Sequence, residues 1–118
     1  MKALLLFILF SMFIVRAGEA ATVHFVDLTW GASTSSGIVN YLVYRGTATG
    51  GPYTNIGQTT ATVLTFHDAT VLANTTYYYV VTAKDANNES AKSNEAKAIV
   101  PADTVPPNPP VNLTVTAQ

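Results

Sequence analysis

The chain has 118 residues, of which 48% are hydrophobic and only 11% are charged, and it contains no cysteine. A net charge of −1 at pH 7 offers nothing to attract phosphate groups, so nucleic acid is excluded as an expected partner. The lack of cysteine excludes disulfides, thiolate metal sites and thiol nucleophiles. Packing alone must therefore stabilise whatever domain the chain forms.

The N-terminal segment has the three regions of an export signal. Lys2 supplies the positive charge, Ala3 to Val15 form an apolar run, and small residues follow between Ala17 and Ala21. The run is shorter than the roughly 20 apolar residues that a membrane-spanning helix needs. We predict a signal peptide at residues 1–20, cleaved after Ala20, that contacts the membrane only before cleavage. The predicted location is outside the cell or in the cell envelope.

The rest of the chain has the period-two alternation of β-strands, and it is rich in the threonine, valine and tyrosine that strands favour. The first strand of this region illustrates the pattern, since Val26, Leu28 and Trp30 share one face. Six strands are predicted, at His24–Trp30, Ile38–Gly46, Tyr53–Ile56, Thr60–His67, Thr76–Lys84 and Lys92–Val100.

Turn-forming residues separate these strands at short intervals, and no segment has helical spacing. This organisation predicts an all-β, immunoglobulin-like sandwich with Greek-key connections over residues 21–101. The alternation directs a set of large side chains into the space between two sheets. The predicted core residues are Trp30, Tyr41, Leu64, Phe66 and Tyr77.

Residues 102–118 follow the predicted sandwich. The segment Pro101–Pro110 is too rich in proline to pair in a sheet and is expected to be an extended linker. After the linker, Val111 to Gln118 read VNLTVTAQ, which alternates like a strand.

Four short motifs, in this order and spacing, resemble the fibronectin type III domain of secreted bacterial proteins. They are VDLTW (Val26–Trp30), YLVYRG (Tyr41–Gly46), GGPYTNIG (Gly50–Gly57) and SNEAKAIVPA (Ser93–Ala102). Tyr77 occupies the position of the tyrosine corner of that family. The resemblance implies that its hydroxyl bonds to the backbone of the preceding loop.

The resemblance has one departure, because a first strand should precede VDLTW and signal cleavage leaves little room for it. The C-terminal tail looks like such a strand. One interpretation is a donor strand in which Val111, Leu113 and Val115 complete the sheet of a second copy. Two others remain open: the tail folds back onto its own domain, or it begins a second domain of a longer chain.

No arrangement of side chains predicts catalysis, a metal site or a cofactor site. His24 and His67 lack the spacing of a ligand pair, and we interpret His67-Asp68 as an exposed strand end beside a turn carboxylate. The oxygen-rich segment Asp85–Glu89 lacks the EF-hand pattern and is expected to be a turn. We therefore predict that the protein is not an enzyme, with no catalytic residues, no cofactor and no metal.

The most suggestive surface lies on two neighbouring strands, where the alternation turns four side chains away from the core: Leu42, Tyr44, Tyr78 and Val80. A tyrosine-rich face with little charge is typical of interfaces, although tyrosine and valine are also ordinary strand formers. The leading hypothesis is a non-catalytic binding, adhesion or spacer module whose partner is a protein or a polysaccharide at the cell surface. The alternative is a structural subunit of an extracellular filament that self-associates by donor-strand exchange of its tail.

Overall fold

Among the residues that the structure describes, seven strands form two antiparallel sheets. The structure, a computed structural model, describes residues 4, 6–14, 22–103 and 106–118. Within these ranges there is no helix long and apolar enough to cross a membrane. The strands are β1 (Leu6–Ile14), β2 (Thr22–Trp30), β3 (Asn40–Gly46), β4 (Thr54–Thr60), β5 (Thr65–Asp68), β6 (Thr75–Lys84) and β7 (Ala96–Val100).

The strand order defines a sandwich with Greek-key connections. One sheet has the order β1-β2-β5, and the other has the order β4-β3-β6-β7. The chain crosses between the sheets after β2, β4 and β5, so that strands distant in sequence become neighbours. The predicted all-β sandwich is confirmed.

The core lies between the sheets and follows the alternation of the sequence. Val26, Leu28 and Trp30 of β2 are buried, as are Tyr41 and Val43 of β3. On β6, which lies beside β3 in the same sheet, the buried row includes Tyr77, Tyr79, Val81 and Ala83. Each large apolar side chain buried in this way contributes about 1.5–3 kcal/mol. Leu64 and Phe66 are half-buried and pack against the edge of this cluster.

Two predicted strands are shorter in the structure. The stretch Thr60–His67 contains a turn in which the Val63 amide donates to the Thr60 carbonyl (3.1 Å), and β5 begins only at Thr65. The last strand begins at Ala96 rather than Lys92, because serine hydroxyls replace part of its ladder. Ser93 Oγ accepts from the Val81 amide at 2.9 Å, and Ser90 Oγ accepts from the Ala83 amide at 2.9 Å.

The position of the first strand is filled by the apolar N-terminal segment. β1 pairs with β2 along its whole length, from Leu6 opposite Trp30 to Ile14 opposite Thr22. Leu4 and Leu6 are buried in the core cluster, and the Leu6 amide donates to Asn94 Oδ1 at 2.9 Å. The uncleaved chain thus fills the strand position that the processed chain was expected to lack. The predicted cleavage site after Ala20 lies outside the described residues.

Candidate functional site

The outer face of the four-stranded sheet carries the tyrosines that the sequence placed there. Antiparallel pairing sets Leu42 opposite Thr82, Tyr44 opposite Val80 and Gly46 opposite Tyr78. Directly opposed residues have side chains on the same side of a sheet, so these residues share one face. Leu42, Tyr44 and Tyr78 are half-buried there.

Val80 does not belong to the accessible part of that face. Its side chain is 2% exposed, and that of the neighbouring Thr82 is 1% exposed, so the expectation that Val80 is available to a partner is wrong. The segment 89–93 returns along β6 and is hydrogen-bonded to it, for example from the Ser93 amide to the Val81 carbonyl (2.9 Å). Alternation predicts the side to which a residue points, but not how far its neighbours bury it.

An open cleft of about 500 Å³ lies beside Tyr44 on this face. Its lining consists of Tyr44, Gly50, Pro52, Tyr53 and Lys92. The volume falls within the range of about 300–1,000 Å³ that is usual for small-molecule sites. One wall is the β3–β4 loop, which turns through Gly50 and Gly51 at φ values of 80° and 95° that favour glycine.

Glu95 holds this loop in place. Its carboxylate accepts hydrogen bonds from Thr49 Oγ1 (2.9 Å), the Gly50 amide (2.8 Å) and the Tyr53 hydroxyl (2.5 Å). The bond with Tyr53 and the Gly50 amide stabilise the ionised carboxylate and lower the pKa of Glu95. The same bond raises the pKa of the Tyr53 phenol. Tyr53 is therefore positioned by a residue 42 places away in the sequence.

Glu89 plays the corresponding part for Tyr44. The Tyr44 hydroxyl donates to Glu89 Oε2 at 2.7 Å, and Thr82 Oγ1 donates to the same oxygen at 3.0 Å. The bond to Glu89, followed by burial, raises the pKa of Tyr44. Each tyrosine of the cleft thus donates to a carboxylate. Sequence reasoning found Tyr44 but missed Tyr53, Glu95 and Lys92, and it placed Glu89 only in a turn.

The bulge between β3 and β4 lies directly beside the cleft. Val43 pairs with Gly57 while Tyr44 pairs with Asn55, which leaves Ile56 as the extra residue. A bulge bends its strand and redirects the side chains near it. Local sequence carries no reliable signal for this irregularity, so the meeting of Tyr44 and Tyr53 follows from the tertiary structure.

An ion pair with a buried carboxylate and a half-buried guanidinium links β3 to β5. Arg45 Nη1 lies 2.8 Å from Asp68 Oδ2, and the Tyr79 hydroxyl donates to the same oxygen at 2.6 Å. The guanidinium also stacks over the Tyr77 ring, 4.8 Å from its centroid. Asp68 accepts from the Thr70 amide directly after β5, as expected of a turn carboxylate, but it is only 3% exposed. His67 is exposed and bonds to Asp27 on the outer side of the other sheet.

These contacts determine the protonation of the buried groups. Burial alone would raise the pKa of Asp68, but hydrogen bonds from Tyr79 and Thr70 and the pairing with Arg45 outweigh it, so the pKa is lowered. Burial, together with the bond to Asp68, raises the pKa of Tyr79 well above its ordinary value. Each charge is satisfied inside the domain, which is the arrangement of a structural ion pair.

The remaining polar candidates have structural partners as well. His24 is buried, and its Nε2 lies 2.9 Å from Asp103 Oδ1 in the segment after β7. Asp85 Oδ1 accepts from the amides of Asn87 and Asn88 within their turn. Over the described ranges, no group of three or more histidine, aspartate or glutamate side chains could hold a metal ion.

The tail residues that were interpreted as a donor strand contact no sheet in this structure. Val111, Leu113 and Val115 are 78%, 92% and 86% exposed, and the described residues 106–118 form no strand. Their role remains a prediction.

Similarity to known proteins places the chain in a family. No family model matches it. It is 40% identical over 93 residues to Exoglucanase B of Cellulomonas fimi, a match that covers 75% of this chain and 8% of that protein. It is 39% identical over 93 residues to Chitinase A1 of Niallia circulans, covering 77% of this chain and 12% of that protein. The chain therefore spans only a small part of each relative.

A solved structure of an Fn3-like protein from Clostridium thermocellum superimposes with a TM-score of 0.57. It is 39% identical, and the match covers 65% of this chain and 77% of that one. The chain belongs to the fibronectin type III family, as the four sequence motifs implied.

Proposed function

We propose that this protein is an exported, non-catalytic fibronectin type III module that acts as a binding and spacer unit beside polysaccharide-degrading enzymes. The observation that carries the proposal is the similarity to short stretches of an exoglucanase and a chitinase, 8% and 12% of their lengths. Most of each enzyme lies outside the matched region, which leaves room for a separate catalytic part. A fold by itself does not define activity, so the partner must come from the surface.

The proposed contact surface is the outer face of the four-stranded sheet, and the proposed partner is a polysaccharide. Leu42, Tyr44 and Tyr78 lie there half-buried, and each tyrosine combines an apolar ring with a hydroxyl group at its tip. Tyrosine offers a large, rigid contact area at low entropic cost, which suits a binding surface. Export is supported by the charged, apolar and small-residue regions of residues 1–20.

The test begins with the full chain expressed in a secreting bacterium. We expect the protein outside the cytoplasm with Ala21 as its first residue. It should be depleted from solution by at least one of insoluble cellulose, chitin and starch, and it should release no reducing sugar. Retention in the cytoplasm would contradict export, release of sugar would contradict a non-catalytic role, and no depletion would contradict a polysaccharide partner.

The contact surface is tested by replacing both half-buried tyrosines of the face. The double variant Tyr44→Ser, Tyr78→Ser should be depleted less than the unchanged protein, provided that its circular dichroism spectrum is unaltered. The control is Asp27→Asn, on the outer side of the other sheet. If both variants were depleted by the polysaccharide to the same extent, this face would not be the contact surface.

A second candidate, a filament subunit that assembles by donor-strand exchange, is favoured by one observation. β2 is paired on one side with Leu6–Ile14, which lies inside the segment whose removal is predicted. Removal would leave that edge of β2 unpaired, and unpaired edges accept strands from other chains. The alternating, exposed residues of Val111–Gln118 would be the strand to add.

Sedimentation of the processed protein at high concentration tests this candidate. Self-association that disappears when residues 109–118 are deleted would support it. The uncleaved chain is the control, because its β2 edge is occupied and it should remain monomeric. A processed protein that is monomeric with and without the tail would exclude the filament.

A further inference from the structure

The cleft beside Tyr44 combines apolar and polar surface in a way that restricts its ligand. Tyr44, Tyr53 and Pro52 supply ring surfaces, and Lys92 supplies a flexible donor. Small-molecule sites are typically lined by aromatic side chains with a few placed polar groups that orient the ligand. A wholly apolar ligand would leave the polar groups without partners, which costs free energy.

Two carboxylates support the tyrosines of this cleft and can accept further hydrogen bonds. A carboxylate has about four acceptor positions. Glu89 uses two of them, both on Oε2, for Tyr44 and Thr82. Glu95 uses three, for Thr49, Gly50 and Tyr53. Donors on a ligand could therefore bond to Glu89 without breaking the contacts that hold the cleft together.

The charges around the cleft argue against an anionic ligand. Glu89 and Glu95 carry two negative charges, against the single positive charge of Lys92. A site with an excess of negative charge repels anions and lowers their local concentration. A neutral ligand with many hydroxyl groups avoids this repulsion. Its hydroxyls can donate charge-assisted bonds to a carboxylate.

We infer that the cleft formed by Tyr44, Pro52, Tyr53 and Lys92 is a binding site for a neutral oligosaccharide of hexose units. The apolar faces of the sugar rings would lie against the tyrosine rings, and hydroxyl groups would bond to Glu89 and Lys92. The inference rests on the proposed function, since a polysaccharide partner supplies such chains. It goes further by confining the site to the cleft, which adds Tyr53 and Lys92 to Tyr44.

The experiment measures binding of soluble cellohexaose, chitohexaose and maltohexaose to the exported protein by calorimetry, with hexagalacturonate as the anionic comparison. We expect at least one neutral hexamer to bind and the anionic one not to bind. Tyr53→Ala and Tyr44→Ala should each weaken binding about tenfold or more, as loss of an aromatic anchor does. Asp27→Asn, on the outer side of the other sheet, should leave affinity unchanged.

A second measurement does not depend on variants that must fold. In heteronuclear NMR spectra of the unchanged protein, the neutral hexamer should shift the Gly50 amide, which is bonded to Glu95 at the cleft wall. The Asn87 amide, in the β6–β7 turn and bonded to Asp85, should not shift.

The outcomes separate the site from the proposed function. Binding that is lost in the Tyr53 and Tyr44 variants and retained in Asp27→Asn supports the inference. Depletion by an insoluble polysaccharide without hexamer binding, or hexamer binding that is equal in all variants, overturns the cleft and leaves the proposed function standing. Tighter binding of hexagalacturonate overturns the neutral ligand class. Failure of both soluble and insoluble binding overturns the site together with the polysaccharide partner.

Discussion

Asp68 illustrates how a charge is accommodated in the interior of a domain that has no covalent cross-links. It accepts hydrogen bonds from Arg45, Tyr79 and both the amide and the hydroxyl of Thr70. Removing a carboxylate from water costs several kcal/mol, and only close pairing compensates for this cost. Arg45 lies on β3, Asp68 on β5 and Tyr79 on β6, so these hydrogen bonds connect the two sheets.

The first prediction concerns this carboxylate. Asp68→Asn should lower the free energy of unfolding at pH 7 by about 2 kcal/mol, less than for a fully buried pair, because solvent partly screens the Arg45 charge that loses its partner. The pKa of Asp68 is lowered in the folded protein. Its contribution is therefore complete above the ordinary aspartate pKa of about 4 and is lost as the pH falls through the folded-state pKa. Urea unfolding of both proteins at pH 7 and at pH 3 measures the contribution of Asp68 to the free energy of unfolding at each pH.

The matched control is Asp27→Asn, which removes an exposed carboxylate that contacts His67. Exposed pairs contribute about 0–1 kcal/mol, so the free energy of unfolding of this variant should be close to that of the unchanged protein. If the two variants lost equal stability at pH 7, the Arg45–Asp68 pair would have no special role.

The second prediction concerns the tyrosine corner. The Tyr77 hydroxyl accepts from the Leu72 amide at 3.0 Å, as the family resemblance implied. Tyr77→Phe keeps the buried ring but removes the acceptor, and we expect a loss of about 1–2 kcal/mol because a backbone donor is left unpaired. Tyr78→Phe, which changes a half-buried residue on the outer face, should cost less. If thermal unfolding showed that the two variants lose equal stability, the hydrogen bond of the tyrosine corner would make no special contribution.

At the scale of secondary-structure elements, the β3–β4 hairpin depends on a residue outside it. Glu95 precedes β7 and yet bonds to Thr49, Gly50 and Tyr53 of the loop. Short glycine-containing loops have little conformational preference of their own, and distant contacts determine their position. The shape of the cleft wall is therefore a property of two elements together.

The third prediction follows from this clamp. Glu95→Ala should speed hydrogen exchange of the Gly50 amide and lower the pKa of Tyr53 towards its ordinary value, since the bond to Glu95 raises it. Glu89→Ala should instead lower the pKa of Tyr44 and leave Gly50 unaffected. NMR exchange and tyrosine titration distinguish the two variants. Unchanged exchange at Gly50 in Glu95→Ala would show that the loop holds its shape alone.

At the scale of the whole molecule, the sandwich depends on strands that lie far apart in the chain. β2 pairs with β5, and β3 pairs with β6, so neither sheet is complete until distant segments meet. Apolar burial between the sheets supplies the main driving force, and no disulfide is available to restrict the unfolded chain. Such a domain is expected to unfold as a single cooperative unit.

The fourth prediction tests this cooperativity in the exported protein. Trp30 is the single tryptophan of the chain and is 4% exposed, so its fluorescence reports on the core. Its urea transition should coincide with the loss of β-sheet circular dichroism, and added reductant should not move either midpoint. Separate midpoints would indicate that the two sheets unfold independently.

The fold class could be predicted from the sequence because the period of two is a local property that burial requires. The alternation of Tyr41 and Val43 against Leu42 and Tyr44 assigned the correct side to each residue. Glycine- and asparagine-rich segments marked most turns, although the turn at Thr60–Leu64 was missed because it contains no glycine or proline. Strand ends were less reliable than strand existence, as Lys92–Glu95 shows.

By itself, the sequence determined the all-β sandwich, the family and the tyrosine-bearing face, since each depends on residue order along single strands. The tertiary structure alone decided which parts of that face are accessible, because burial depends on the neighbours that packing brings together, and Val80 is only 2% exposed. It also decided that Tyr44, Tyr53 and Lys92 share a cleft, and that Asp68 lies in the interior with Arg45. These arrangements depend on contacts across tens of residues, which no local pattern specifies.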